Sequence, residues 1–231
     1  MLGYYDYTVW LTYMSLILGG MGILISQSGT GHPFIGMFFL MLCGLCDAFD
    51  GKVARTKMNR TRSECNFGIQ IDSLTDLVSF GVLPISIGNA MIRVLPTASE
   101  LRRPRAHNML LSPFITVFYG IMVMYLLAAM IRLAYFNVEE EERQCAEGGS
   151  RKYYKGLPVT SVSLIFPILL SLQYFLPWDI TSLYFVTMMF VAMAFLMPIP
   201  IKKPGTRGIL IMVAIGAADF VVLAAFYFHL I

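Results

Sequence analysis

Long uncharged runs, separated by short clusters of charge, glycine and proline, set the pattern of this chain. No Asp, Glu, Lys or Arg occurs from Tyr7 to Cys46, from Leu77 to Ile92, from Ala106 to Ile131, from Gly156 to Trp178, or from Ile180 to Ile201. A membrane-crossing helix needs about 20 mostly apolar residues, and the first of these runs is long enough for two. Glycines, prolines and charges mark the joints, as at Ser28-Gly29-Thr30-Gly31-His32-Pro33 and Lys202-Lys203-Pro204-Gly205. The pattern predicts seven spans, at about 8–26, 33–55, 67–92, 110–136, 157–176, 182–200 and 208–230. The expected fold is all-α, a polytopic membrane helix bundle forming a single domain over residues 1–231.

Composition agrees with that reading. The chain is 57% hydrophobic and 13% charged, with a mean hydropathy of +0.69. A soluble domain carries about 25% charged residues, so a water-soluble globular fold is excluded. The N-terminus lacks a basic region ahead of its apolar stretch, so no cleavable signal is expected and the first span should remain.

Lys and Arg give the orientation. Residues 52–62 hold five, 139–156 hold four and 201–207 hold three, all on one side if the spans alternate. The other side has Arg93, Arg102, Arg103 and Arg105. Cytoplasmic loops carry the basic excess, so the N-terminus is expected in the cytoplasm and the C-terminus outside. The net charge of +3 suits an anionic bilayer surface and points to membrane lipids, not nucleic acid, as partners. Cys43 and Cys46 fall inside a span, and Cys65 and Cys145 in cytoplasmic loops, so no disulfide framework is expected.

The chemistry is concentrated between Cys46 and Pro84. Asp47 and Asp50 are three apart near the end of the second span, and Asp72 and Asp76 four apart near the start of the third. Each pair therefore shares a helix face. At about 1.5 Å per residue, the two pairs reach one level below the cytoplasmic helix ends. Four carboxylates at one depth repel one another and are costly in a bilayer unless cations bind between them. Carboxylate oxygens suit hard ions such as Mg²⁺ or Mn²⁺. Gly51, Ala54 and Gly68 leave room beside the carboxylates for a bulky group. Lys52, Arg55, Lys57, Arg60 and Arg62 follow at once and suit a phosphate-bearing substrate. Together these features suggest metal-assisted phosphoryl chemistry at a membrane surface. A divalent-cation transporter is the non-enzyme alternative, but it would place its acids near the bilayer midplane, often in broken helices.

These residues resemble the CDP-alcohol phosphotransferase family, whose signature runs D-x-x-D-G-x-x-A-R, a gap, then G-x-x-x-D-x-x-x-D. Here it reads Asp47, Asp50, Gly51, Ala54, Arg55, then Gly68, Asp72 and Asp76. The gap between Arg55 and Gly68, twelve residues, is longer than usual in the family. The stretches at 67–84, 132–138 and 154–161 narrow the resemblance to the branch that makes phosphatidylserine. It covers most of residues 8–205, and the seventh span lies beyond the family's six-helix core.

The resemblance implies transfer of a phosphatidyl group from CDP-diacylglycerol to L-serine, with release of CMP. It implies two Mg²⁺ or Mn²⁺ ions, with Asp47 and Asp72 binding both, Asp50 the first and Asp76 the second, and Asp76 also as general base. Gly51 and Arg55 would bind the cytidine diphosphate part, aided by a small polar residue of the gap, with Thr61 or Ser63 favoured over Cys65 and Asn66. The acceptor side is expected at Arg132, Asn137 and Lys155, because an Arg inside a span needs an anionic partner. Glycerol 3-phosphate or an inositol phosphate is the alternative acceptor. Gly19, Gly20 and Gly22 suggest close helix packing, more within one chain than at a homodimer face. Asp219, alone in the seventh span, has no assigned role.

Overall fold

The computed structural model describes residues 3–28, 32–54, 56–57, 61–94, 113–146, 153–172, 179–202 and 205–227. Seven helices account for nearly all of them. A 3-10 turn, Tyr7–Val9, leads into α1 (Trp10–Gln27), followed by α2 (Pro33–Ala54). Helix α3 comprises Arg62–Asp76, a π-helical stretch Leu77–Val82, and Leu83–Val94. Then come α4 (Pro113–Ala146), α5 (Val162–Leu172), α6 (Ile180–Leu196) and α7 (Thr206–Tyr227). The all-α membrane bundle expected from the hydrophobic pattern is the observed fold. Helices α1, α2, α3, α4 and α7 are long and apolar enough to cross a membrane, and α5 and α6 are shorter apolar helices among the described residues.

Two helices extend beyond their apolar runs. Thr61 caps α3 by accepting from the Glu64 amide, while the Glu64 side chain accepts from the Thr61 amide. This reciprocal cap lets a polar first turn form ahead of the apolar stretch. Helix α3 thus starts at Arg62 and not near 67, which puts Asp72 and Asp76 about three and four turns in. Helix α4 likewise runs through the charged segment after Val138 to Ala146, so Arg132 lies almost four turns from the helix end and not about one.

Contacts at the helix ends show that α1, α2 and α3 run in alternating directions. Lys57, after α2, bonds Asp6 ahead of α1, joining the start of α1 to the end of α2. At the opposite end, Arg93 donates to the carbonyls of Ser26, Gln27 and Ser28, joining the ends of α1 and α3. A feature absent from the hydrophobic pattern is a short antiparallel pair, β1 (Tyr153–Lys155) with β2 (Pro200–Lys202), in register Tyr154 to Ile201. It joins two of the three basic loops. Their pairing requires them to lie on one side of the bundle.

Small residues let the helices come close. A Cβ on Gly19 would meet Ser79 Oγ at 2.7 Å, and one on Gly22 would meet Phe39 Cβ at 2.7 Å, whereas Gly20 has open space. Gly19 and Gly22 thus serve packing inside the chain. Across that contact Ser79 Oγ and Cys43 Sγ both donate to the Ser15 carbonyl. The remaining core is aromatic, with Tyr125 of α4, Phe166 of α5 and Tyr184 and Phe195 of α6 buried together. Helix α7 docks on this bundle through Phe38–Phe220 ring contact and a Ser171 Oγ bond of 2.5 Å to Asp219 Oδ1. Asp219 therefore has a partner within its own chain.

Candidate active site

Helix α2 ends in the sequence Asp47-Ala48-Phe49-Asp50-Gly51, and α3 enters its apolar run through Gly68 and Asp72. The crossing of these helices brings three carboxylates together. Asp47, Asp50 and Asp72 each offer an oxygen, all within 4.8 Å of one another. The three are partly buried, so the oxygens face one another across a cleft and not bulk water. Asp76, expected as a fourth ligand, sits one turn further along α3, outside this group of three but near enough to feel their charge. Four anions so placed in a low-dielectric region repel strongly. A cluster of hard oxygen donors, converging from two rigid helices, fits a divalent cation.

A cleft opens beside the carboxylates, lined by Asp50, Gly51 and Ala54 of α2 and by Cys65, Gly68, Ile69 and Asp72 of α3. Gly51, Ala54 and Gly68 line it as the sequence suggested, because a residue without a bulky side chain leaves the helix backbone accessible. The third wall was not expected. Thr8 and Val9 of the 3-10 turn and Thr12 of α1 complete the cleft, and all three are largely buried. Two threonines one turn apart at the start of the first apolar run were the signal, hidden because the run reads as plain membrane span.

The loop between α2 and α3 differs from expectation in detail. Thr61 serves as the α3 cap, and Thr61 and Ser63 are exposed away from the cleft. Of the four loop candidates, Cys65 is the one that lines it. Arg55 lies outside the described residues. Lys57, grouped above with the phosphate-binding cations, instead places its Nζ 2.6 Å from Asp6 Oδ2 and 3.1 Å from Glu64 Oε1. Those hydrogen bonds push the Lys57 ammonium above the usual lysine range. Its charge is turned to the protein.

The three acceptor candidates are spread along the C-terminal half of α4 and the segment after it. Asn137 accepts from Ser73, the residue following Asp72, at 2.9 Å. Arg132, only 4% exposed, donates from Nε to the Leu157 carbonyl and from Nη2 to the Gly156 carbonyl. Gly156 has φ of +89°, and a Cβ there would sit 2.7 Å from the Met197 carbonyl oxygen, so only glycine fits beneath the guanidinium. Lys155 pairs with Glu139 at 2.6 Å. Asn137 is thus directly joined to the helix that carries Asp72, while Arg132 and Lys155 hold the 155–157 turn against α4.

The chain is 34% identical over 142 residues to a CDP-diacylglycerol–serine O-phosphatidyltransferase of Saccharomyces cerevisiae, covering 60% of this chain and 42% of that protein. It is 39% identical over 74 residues to an enzyme of that name from Helicobacter pylori, covering 32% of this chain and 28% of that protein. With a Mycobacterium bovis enzyme of the same name it shares 26% over 177 residues, 74% of this chain and 53% of that protein. The chain thus spans about half the length, or less, of the curated relatives it matches. The defining pattern of CDP-alcohol phosphatidyltransferases matches residues 8–198, from the cleft wall at Thr8 to the end of α6. The carboxylates, the cleft and α1 to α6 all lie inside that match: the chain belongs to the CDP-alcohol phosphatidyltransferase family.

Proposed function

We propose that this protein transfers the phosphatidyl group of CDP-diacylglycerol to L-serine, forming phosphatidylserine and CMP. The observation that carries the reading is the convergence of Asp47, Asp50 and Asp72 beside a cleft at the end of two membrane helices. The names of the relatives support the donor and the acceptor. The spread of basic residues supports an active site facing the cytoplasm, where the nucleotide product would be released.

Asp47, Asp50, Asp72 and Asp76 would hold two Mg²⁺ or Mn²⁺ ions, with Asp47 and Asp72 shared between them. When bound, such ions neutralise the charge of the transferring phosphate and of the leaving group. The protein's own residues do the rest. Gly51, with Arg55, receives the cytidine diphosphate part against the bare helix surface. The serine hydroxyl oxygen bonds to the phosphorus that carries diacylglycerol, and the bond from that phosphorus to the CMP oxygen breaks. The hydroxyl proton passes to Asp76, one turn beyond Asp72 on α3. Asn137, Arg132 and Lys155 form the acceptor side, with Asn137 nearest to Asp72 through Ser73.

The test is purified protein in detergent with CDP-diacylglycerol, Mg²⁺ or Mn²⁺, and L-serine, glycerol 3-phosphate or an inositol phosphate supplied separately. CMP release with serine alone is expected. Release only with a phosphorylated acceptor would overturn the serine assignment, and cation uptake into vesicles without CMP release would favour a transporter.

A further inference from the structure

The cleft's unexpected wall is the turn through which the chain enters α1. Thr8 and Val9 belong to a three-residue 3-10 turn, preceded by an extended stretch of mostly exposed residues. Short turns of this kind have weak internal hydrogen bonding and rely on outside contacts. Some of those contacts come from α1 and α3, with the Tyr13 hydroxyl donating to the Tyr4 carbonyl and the Tyr4 ring meeting Phe67, and others from the loop between α2 and α3. Lys57 Nζ bridges Asp6 Oδ2 and Glu64 Oε1, and the Tyr7 hydroxyl lies 3.2 Å from Thr56 Oγ1. Asp6 also accepts from the Tyr7 amide, so the residue that Lys57 holds is the cap of the turn itself. Glu64 in turn belongs to the reciprocal cap that starts α3. One ammonium thus joins the N-terminal turn, the α2–α3 loop and the first turn of α3, the three segments around the open end of the cleft.

We propose that Lys57 is a positioning residue for the nucleotide end of the substrate, holding the Thr8–Val9 wall against Gly51 and Gly68. The proposal rests on the phosphatidyl-transfer reading above. Lys57 touches neither the carboxylates nor the cleft, so its effect falls on how well the donor binds and not on the chemical step.

The experiment uses the full chain in detergent and four variants: Lys57→Met, Asp6→Asn, the double of these, and Lys57→Arg. Lys57→Met and Asp6→Asn should each raise the KM for CDP-diacylglycerol about two- to fivefold, the range that partly exposed ion pairs support. The KM for serine and kcat should stay close to wild type. Lys57→Arg, which keeps the bridge, should restore the donor KM. The double variant Lys57→Met/Asp6→Asn should be no worse than Lys57→Met alone, since the Lys57–Asp6 bond is already lost there. Hydrogen exchange at the amides of residues 7–9 should quicken in Lys57→Met. An unchanged donor KM in Lys57→Met, or a fall in kcat alone, would overturn the positioning role. A wild-type protein that releases no CMP would instead overturn the phosphatidyl-transfer reading, and the positioning role with it.

Discussion

The phenolic hydroxyl of Tyr125 on α4 donates to the backbone carbonyl of Phe80 on α3 at 2.6 Å. Phe80 is the residue four before Pro84, which has no N–H to donate, so its carbonyl would otherwise be an unpaired acceptor within the bundle. The helix answers Pro84 by widening into the π-helical stretch Leu77–Val82, in which the Leu83 amide reaches back to the Val78 carbonyl. Tyr184 of α6 similarly donates to the Pro84 carbonyl at 2.8 Å. The distortion begins immediately after Asp76. Two buried tyrosines therefore fix the shape of α3 in the turns that follow Asp76.

Removing that support has a definite expected cost. Tyr125→Phe should destabilise the protein by about 1–3 kcal/mol, because a buried carbonyl loses its donor. Pro84→Ala restores an amide at that position, so the Tyr125→Phe/Pro84→Ala pair should be less damaging than the two single effects added. Thermal unfolding in detergent checks this, and additive losses would detach Tyr125 from the proline.

The carboxylate cluster should respond oppositely with and without cations. Asp47→Asn, Asp50→Asn or Asp72→Asn should abolish turnover, and excess chelator should do the same to the wild-type protein. In chelator, however, Asp50→Asn or Asp72→Asn should unfold at a higher temperature than wild type, since one of several crowded anions is gone. Adding Mn²⁺ should reverse that order. Full wild-type activity in chelator would end the metal-dependent reading.

Asp76→Asn should lower turnover more than the about 10²–10⁴-fold expected of a lost general base, because the same carboxylate is assigned to a cation. Binding of CDP-diacylglycerol should suffer less. A variant keeping more than about a tenth of wild-type turnover would show that another group takes the proton.

Gly44 faces Ser163 of α5, and a Cβ placed on it would clash with Ser163 Oγ and Cβ. Gly44→Ala should therefore push α5 from α2 one turn from Asp47, costing about 1–3 kcal/mol and lowering activity. Ser163→Gly in the same chain should recover much of both, as measured by unfolding and CMP release. No recovery would mean that the clash is not at Ser163.

For the acceptor, Arg132→Lys should raise the KM for serine strongly and that for CDP-diacylglycerol little. Lysine cannot reproduce the planar fork that serves both the 156–157 carbonyls and an anion. Equal losses for both substrates would assign Arg132 to the phosphate, and loss of stability without a kinetic change would confine it to the Gly156 turn.

Much was legible along the chain because a bilayer imposes a coarse rule. Backbone groups in lipid must bond within their own helix, so a long uncharged run is a helix wherever it stands. The seven helices, and the pairing of aspartates three and four apart on single helix faces, follow from one-dimensional periodicity and spacing. What lies at helix ends and between helices is not set by local spacing. The start of α3 at Arg62 depends on a cap, and the third wall of the cleft on Thr8 and Thr12 meeting residues far along the chain. The diversion of Lys57 to Asp6 and Glu64 also needed tertiary structure, because a lysine in a basic run looks alike whether it faces phosphate or a neighbouring carboxylate. The Ser171 partner of Asp219 and the β1–β2 pair follow the same logic, each joining residues more than forty positions apart. Such contacts are decided by which helices pack together, and packing depends on shape complementarity that single-residue patterns do not carry.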